Sequence, residues 1–201
     1  MNLIERVKNI ITTPKTEWDE VLKEEDNMSK TITTYVVPLA LVAAAAAFIG
    51  YGFVGVSYWG FRTVGINWGI NYAVISFLSS VIGVVLTAFV VDMLAPSFGS
   101  EKNINRATQL VAFAYTPAWL GGILMVMPSL GMIGSLFGLY GIYLMYLGFP
   151  KMMKTPPDKV AGYMVVSILI LIVAYFVLAF VLGTIFMSVL GLNTLNTFHI
   201  R

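Results

Sequence analysis

The chain has 201 residues, of which only 11% are charged and 58% are hydrophobic. Soluble proteins carry roughly 25% charged residues, and their surfaces need polar side chains to face water, so this composition excludes a soluble enzyme, a nucleic-acid binder and a disordered linker. The net charge of +2 is too small to favour a polyanionic partner. The absence of cysteine excludes a disulfide framework and a cysteine metal site. The composition therefore predicts an integral membrane protein whose main partner is the lipid bilayer.

Residues 1–33 form the most charged part of the chain, with more acids than bases, and they lack the apolar run and cleavage site of a signal peptide. Val7 and Ile10 in one short stretch, and Trp18 and Val21 in a second, recur at helical spacing. Each amphipathic helix either lies on lipid headgroups or a partner, or packs against the protein's own cytoplasmic face. For the second stretch the acidic character favours packing, because it disfavours anionic lipid.

Four long stretches without a charged residue follow, between Lys30 and Arg62, Arg62 and Asp92, Arg106 and Lys151, and Lys159 and Arg201. A spanning helix needs about 20 apolar residues. The third stretch accommodates two helices, folded back at Pro128 and Gly131. The last stretch fits one span, because two would leave almost nothing for a turn. The sequence predicts an all-α, polytopic transmembrane helical bundle with five spans, at about 34–55, 70–91, 107–127, 131–149 and 163–190.

The distribution of basic residues predicts the orientation of the bundle. With five spans and a cytoplasmic N-terminus, the cytoplasmic segments are the N-terminal tail and the loops at 92–106 and 150–162. Of the 12 lysines and arginines, only Arg62 and Arg201 fall outside these segments. We therefore expect residues 1–33 to be cytoplasmic, 34–192 to form the membrane domain and 193–201 to be a short external tail.

Small residues at four-residue spacing indicate where helices approach one another closely in lipid. The fourth predicted span carries Gly134 and Gly138, and the second carries Ser79 and Gly83. Such a face serves either a homodimer or packing within one bundle. Packing within the bundle is the favoured alternative, because this spacing is common in polytopic proteins.

Asp92 is the one acid inside or beside a predicted span. A carboxylate within a membrane is costly, so it should face protein, water or a cation. The nearest candidates for pairing along the chain are Lys102 and Arg106. Because Asp92 lies near the cytoplasmic end of its span, a structural ion pair is favoured over an ion or proton site.

The third predicted span is interrupted at Thr116 and Pro117, which directly follow Tyr115. Such a break exposes backbone carbonyl groups to a substrate in some transporters, and in other proteins it is a plain kink. Tyr140 and Tyr143 lie on one side of the fourth span, where they either line a polar cavity or bond neighbouring backbone groups. The candidate polar membrane site consists of these two tyrosines, the break with Tyr115, Thr116 and Pro117, and the charged residues Asp92 and Arg106.

Motifs for catalysis and metal binding are absent from the sequence. The single histidine, His199, lies at the extreme C-terminus, and there is no HExxH motif and no second intramembrane aspartate to pair with Asp92. The serines lack a base partner, and the glycines lie within spans rather than at a strand-to-helix turn. We therefore predict no enzyme activity, no cofactor and no metal.

Two segments carry a family resemblance: "FGSEKNINRATQLVAFAYTPAWLGGIL" and "LYGIYLMYLGFPKMMKTPPDKVAGYMVV". They resemble the bacterial branch of the Yip-domain family, named for Ypt/Rab GTPase-interacting proteins. The family's alanine-tyrosine-x-proline element is matched by Ala114, Tyr115, Thr116 and Pro117. Its tyrosine-rich fourth helix and lysine-proline loop are matched by Tyr140, Tyr143, Lys151, Lys154, Pro156 and Pro157.

The resemblance implies five spans with a cytoplasmic N-terminus and a place in the bacterial cytoplasmic (inner) membrane. Eukaryotic members are linked to Rab GTPases and vesicle trafficking, but their aspartate-leucine-tyrosine-glycine-proline motif is absent from residues 1–33, so that role is not carried over.

Two functions remain open. The first is a non-enzymatic membrane protein that organises membrane or recruits a cytoplasmic protein, or a second copy of itself, through residues 1–33. If so, we expect residues 1–30 to be removable without unfolding the bundle. The second is a small transporter or channel whose path uses Asp92, Tyr115 and the break in the third span. A transporter requires a hydrated cavity that reaches Asp92.

Overall fold

A computed structural model describes residues 2–58 and 61–189. Over these residues the chain is built almost wholly of helices, which confirms the predicted all-α class. The structure adds one short β-hairpin that the sequence did not predict. The predicted external tail, 193–201, lies outside the described residues.

Two short helices begin the chain, α1 (Leu3–Thr12) and α2 (Pro14–Lys23). The Asn2 side chain caps α1 by accepting a hydrogen bond from the backbone N–H of Ile4. Pro14 occupies the first turn of α2, where its missing N–H costs nothing. The two amphipathic stretches therefore fold as the sequence predicts.

The first membrane helix runs from Met28 to Val54. It consists of α3 (Met28–Thr31) and α4 (Val37–Ile49), each followed by one π-helical turn. It begins before the predicted residue 34 because the Asn27 side chain accepts from the backbone N–H of Lys30 and caps the helix there.

The hairpin joins the first membrane helix to the second. Strand β1 (Val56–Tyr58) pairs antiparallel with β2 (Phe61–Thr63). Helix α5 (Ile66–Leu94) follows and continues into a 3₁₀ turn. The second membrane helix is therefore longer at both ends than the predicted 70–91.

The third membrane helix is broken, as the sequence predicts, into α6 (Ile104–Ala114) and α7 (Thr116–Ile123). Two 3₁₀ turns then lead into α8 (Gly131–Met152), and α9 (Val160–Val189) follows. Helix α8 passes through Pro150, so it ends slightly later than predicted.

Among the described residues, four segments are long and apolar enough to cross a membrane: Met28–Val54, Ile66–Phe98, Ile104–Val126 and Pro128–Met152. Each overlaps one of the first four predicted spans to within one residue of its end, while Val160–Ala174, in α9, is a shorter apolar stretch. The fifth span therefore remains a prediction. Large apolar side chains such as Met132 and Phe176 point outward, 82% and 74% exposed. An apolar exterior of this kind fits contact with lipid.

Glycines bring α7 and α8 into backbone contact. A Cβ atom added at Gly134 would overlap the carbonyl oxygen of Gly121, and one added at Gly121 would overlap that of Gly134. Gly134 therefore packs within the chain, the alternative that the sequence favours. Gly138 does not share this contact, because an added Cβ meets no atom within 4 Å. In the other small-residue pair, Gly83 is buried and Ser79 is exposed.

One end of the bundle, which we call the N-terminal face, is formed by α1, α2 and the segments 99–103 and 153–159. The Ser100 hydroxyl donates to Thr155 Oγ1 at 2.8 Å, which joins the two segments. Lys151 Nζ lies 2.6 Å from Asp19 Oδ1 and joins α8 to α2. The segments that carry most of the basic residues thus meet at one end.

The close contact of α7 with α8 predicts opposite outcomes for two neighbouring glycines. Gly134→Ala should lower the free energy of unfolding by about 1–3 kcal/mol, because the new methyl group overlaps a backbone carbonyl. The matched control, Gly138→Ala, should be neutral or stabilising by up to about 1 kcal/mol, because its methyl group enters open space and alanine favours helix. Unfolding in mixed micelles measures both values, and equal values would contradict the described contact.

Candidate functional site

The break in the third membrane helix is stabilised by its own side chains. Pro117 has no N–H to bond the carbonyl group of Phe113, four residues earlier. The Thr116 hydroxyl donates to that carbonyl oxygen at 2.7 Å instead. The hydroxyl group of Tyr35, from the first membrane helix, lies 2.7 Å from Thr116 Oγ1 and can donate to it. The carbonyl group of Phe113 is therefore hydrogen-bonded, and the helix is kinked here without leaving that group exposed.

Tyr115 connects the break to the second membrane helix. Its hydroxyl group lies 3.1 Å from the Thr87 hydroxyl of α5, and its ring lies 6.2 Å from that of Trp119. Both hydroxyl-bearing side chains line a cavity of about 290 Å³ between α5, α7, α8 and α9. The break thus borders an internal space.

Asp92 lies near the end of α5, is only 8% exposed, and its Oδ1 has no hydrogen-bond partner in the described part of the chain. The hydroxyl group of Tyr163 donates to the neighbouring carbonyl oxygen of Val91. No ion pair of Asp92 with Lys102 or Arg106 is present within 2–58 and 61–189. The expected structural ion pair is therefore wrong, because Arg106 has other partners.

Arg106 binds the C-terminal end of α2 and the segment that follows it. Its Nη1 and Nη2 atoms donate to the carbonyl oxygens of Val21 and Leu22, at 3.3 and 3.2 Å. Its Nε lies 3.7 Å from Asp26 Oδ2, which also accepts a hydrogen bond from Asn103 Nδ2 at 2.8 Å. The Asn103 bond and then the Arg106 charge hold the pKa of Asp26 below its usual range. Arg106 therefore anchors the N-terminal segment to α6.

Tyr140 also anchors the N-terminal segment. Its hydroxyl group donates to the carbonyl oxygen of Ile11 at 2.8 Å. The Tyr143 ring lies 5.6 Å from that of Tyr140, but its side chain is 43% exposed. Tyr140 therefore bonds neighbouring backbone, which is one of the two alternatives that the sequence left open for these tyrosines.

The strongest polar cluster in the described structure centres on Arg6 of α1. Its guanidinium group is 4% exposed and donates at 2.5 Å to Glu17 Oε1 and at 2.5 Å to Glu24 Oε1. It also lies 5.2 Å from the centre of the Phe113 ring of α6, within range of a cation–π contact. One buried cation thus joins α1, α2, the segment after α2 and α6.

Trp18 of α2 completes the attachment of the N-terminal helices. It is fully buried, and its ring lies 6.3 Å from that of Phe113. Gly148 of α8 provides the space, because a Cβ there would come within 2.8 Å of the Trp18 indole ring. With Ile10 and Val21, which are equally buried, Trp18 belongs to the main core. The structure therefore argues against the expectation that residues 1–30 can be removed without harm.

The predicted site residues fall into separate places. Tyr115, Thr116 and Pro117 lie together at the break, Arg106 and Tyr140 hold the N-terminal segment, and Asp92 lies apart near the end of α5. Arg6 was not among the predicted site residues, because its partners are distant along the chain. The position of Arg6 on the apolar face of α1 could have indicated a buried ion pair with an acidic residue of α2.

The described residues offer no centre for metal chemistry. Within 2–58 and 61–189, no group of three or more histidine, cysteine, aspartate or glutamate side chains is placed to hold a metal ion. The arrangement of polar groups is suited to holding helices together.

The Yip1 domain family matches residues 8–181. The chain belongs to the Yip1 domain family. The match begins within α1 and ends within α9, and members of the family are generally non-enzymatic membrane proteins. No curated protein and no solved structure matches the chain.

Removal of the buried cation should be far more damaging than removal of an exposed one. Arg6→Met leaves Glu17 buried without a counter-charge, so the free energy of unfolding should fall by about 3–5 kcal/mol. Lys8→Met, at an exposed position on the same helix, should change it by about 0.5 kcal/mol or less. Denaturation in mixed micelles measures both.

The double variant Arg6→Met/Glu17→Gln supplies the control for this prediction. It should recover part of the loss, because the unpaired carboxylate is gone. If Arg6→Met behaved like Lys8→Met, Arg6 would not hold the N-terminal helices.

Proposed function

We propose that this Yip1 domain protein is a non-enzymatic membrane scaffold that recruits a protein partner through its N-terminal face. The main support for this proposal is that Arg6 and Trp18 pack α1 and α2 against the bundle. Their outer surface is therefore a fixed part of the fold, with a defined arrangement of exposed charges.

The chemistry of this surface favours a protein over a charged lipid surface. Exposed lysines such as Lys8 and Lys15 alternate with exposed acids such as Asp19 and Glu20. Residues 1–33 hold more acids than bases, which disfavours binding to anionic headgroups. A surface of mixed sign suits a partner with complementary charges, and it provides specificity.

The proposed location of the N-terminal face is the cytoplasmic side of a bacterial cytoplasmic membrane, with five spans. The positive-inside rule supports this orientation, because the basic segments meet at that end of the bundle. The partner is then a cytoplasmic protein or the same face of a second copy.

Site-specific photocrosslinking tests the recruitment. p-Benzoylphenylalanine replaces Lys8 or Thr16, both exposed on the N-terminal face, and as matched controls Asn67 or Asn71, both exposed near the hairpin. In native membranes, we expect adducts of one defined mass from Lys8 and Thr16 and none from the control positions. An adduct of twice the chain mass would identify a second copy as the partner.

A charge-reversal variant separates recognition from chance proximity. Lys8→Glu/Lys15→Glu should abolish the adduct formed at Thr16, because a like charge replaces a complementary one at the surface. Adducts that form equally at both ends of the bundle, or that survive the charge reversal, would contradict recruitment through the N-terminal face.

Transport is the second candidate function, and the cavity beside the break in the third helix is the observation that favours it. Thr87, Tyr115 and Ser167 bring hydroxyl groups to its wall, but Asp92 is not among the residues that line it. A path through the bundle would have to connect the cavity with this carboxylate group.

Proton flux into proteoliposomes that contain a pH-sensitive dye tests this alternative. A transporter should give flux above that of protein-free vesicles, and the nearly isosteric Asp92→Asn should remove it because the ionisable group is lost. Flux equal to that of protein-free vesicles would exclude proton transport.

A further inference from the structure

The cavity between α5, α7, α8 and α9 has an apolar wall. Met145, Met164 and Leu171 are typical of its lining, and none of the described side chains that line it is acidic or basic. At Gly138 the wall is only backbone, since an added Cβ meets no atom within 4 Å. An apolar cavity of about 290 Å³ is suited to hydrocarbon rather than to an ion.

One polar group in the wall lacks a partner. The hydroxyls of Thr87 and Tyr115 bond each other, but Ser167 is 0% exposed and its Oγ has no hydrogen-bond partner among the described residues. A buried hydroxyl without a partner is destabilising. A molecule in the cavity that presents an acceptor oxygen to Ser167 would satisfy it.

The mouth of the cavity faces the exterior that contacts lipid. Ile142 of α8 and Ile168 of α9 line the cavity and are 45% and 38% exposed. Both helices carry exposed apolar side chains along this surface, such as Leu139 and Leu169. A molecule therefore reaches the cavity sideways from the bilayer.

The depth of Ser167 indicates which part of a lipid it meets. It lies seven residues after Val160, the first residue of α9, which is about 10 Å at a rise of 1.5 Å per residue. Lys159 immediately precedes α9 and favours a start among the headgroups. Ser167 then lies near the edge of the hydrocarbon region, which is where the ester groups of phospholipids are found.

We propose that the cavity holds one acyl chain of a membrane phospholipid, with the Ser167 hydroxyl donating to an ester carbonyl oxygen. Gly138 leaves room for the chain, and the Thr87–Tyr115 pair closes the wall beside the break. This binding site is independent of the recruitment proposed for the N-terminal face.

A photoreactive phospholipid tests the site. The full-length protein is placed in nanodiscs that contain phosphatidylcholine with a diazirine in the middle of its sn-2 chain, irradiated, and mapped by mass spectrometry. Ala114 and Met164 line the cavity and are only 1% and 6% exposed, so surrounding lipid does not reach them. We expect adducts at these two residues, in addition to adducts at Val165, which is 57% exposed.

Two matched substitutions on α8 distinguish the cavity from the outer surface. Gly138→Leu fills the cavity and should remove the adducts at Ala114 and Met164 while leaving those at Val165. Leu139→Phe, at an exposed neighbour outside the cavity, should change neither. Ser167→Ala should lower the adducts at Met164 by about threefold to tenfold, which corresponds to the loss of one neutral hydrogen bond.

Gly138→Ala is a second variant in case Gly138→Leu does not fold. Its methyl group enters open space, so the protein should fold, and it should partly reduce the adducts at Ala114 and Met164. Adducts confined to Val165, or adducts at Ala114 and Met164 that persist in both Gly138 variants, would overturn the proposal.

Discussion

The buried guanidinium group of Arg6 joins the two N-terminal helices to each other and to the membrane bundle. A buried cation is tolerated only where its hydrogen bonds and its charge are matched, and here Glu17 and Glu24 match it on one side while the ring of Phe113 covers it on another. Because these partners lie on different segments, and because Glu17 is buried with Arg6, separating α1 from α2 would leave buried charges unpaired. The amphipathic start of the chain is therefore a structural part of the bundle.

The interior of the bundle depends on where small residues meet. At Gly121 and Gly134 two backbones touch, and the contact fixes the distance between α7 and α8. One turn further along, a Cβ added at Gly138 would meet no atom within 4 Å, so the absence of a side chain there leaves space. At Pro117 a missing N–H is compensated by a threonine hydroxyl, so the kink beside that space is stable.

Features that depend on local sequence were predicted well. The spacing between charges located four membrane helices, since the cost of a charge in lipid acts residue by residue, and Pro117 located the break. The helix ends differed because they are set by caps: the side chains of Asn27 and Asn103 accept backbone hydrogen bonds at the starts of the first and third membrane helices. The acidic character of the α2 sequence also correctly favoured packing against the protein, where Trp18 is fully buried.

Features that depend on contacts between distant segments were not predicted. Asp92 and Arg106 are near in sequence and opposite in charge, but Arg106 binds Asp26 and backbone carbonyl groups some 80 residues away in the chain. Ser167 gave no signal, because a serine in an apolar helix usually bonds its own backbone. In both cases the partner, or its absence, is set by how helices pack, and a single sequence carries little information about that.

Hydrogen–deuterium exchange of the α2 amides in lipid nanodiscs tests most directly whether the N-terminal helices are part of the bundle. An isolated helix of 10 residues is only marginally stable in water, so a detached α2 would exchange within seconds. The docked arrangement predicts that amides near Trp18 are protected to an extent similar to those of α6. Complete exchange of α2 within seconds, with α6 still protected, would contradict it.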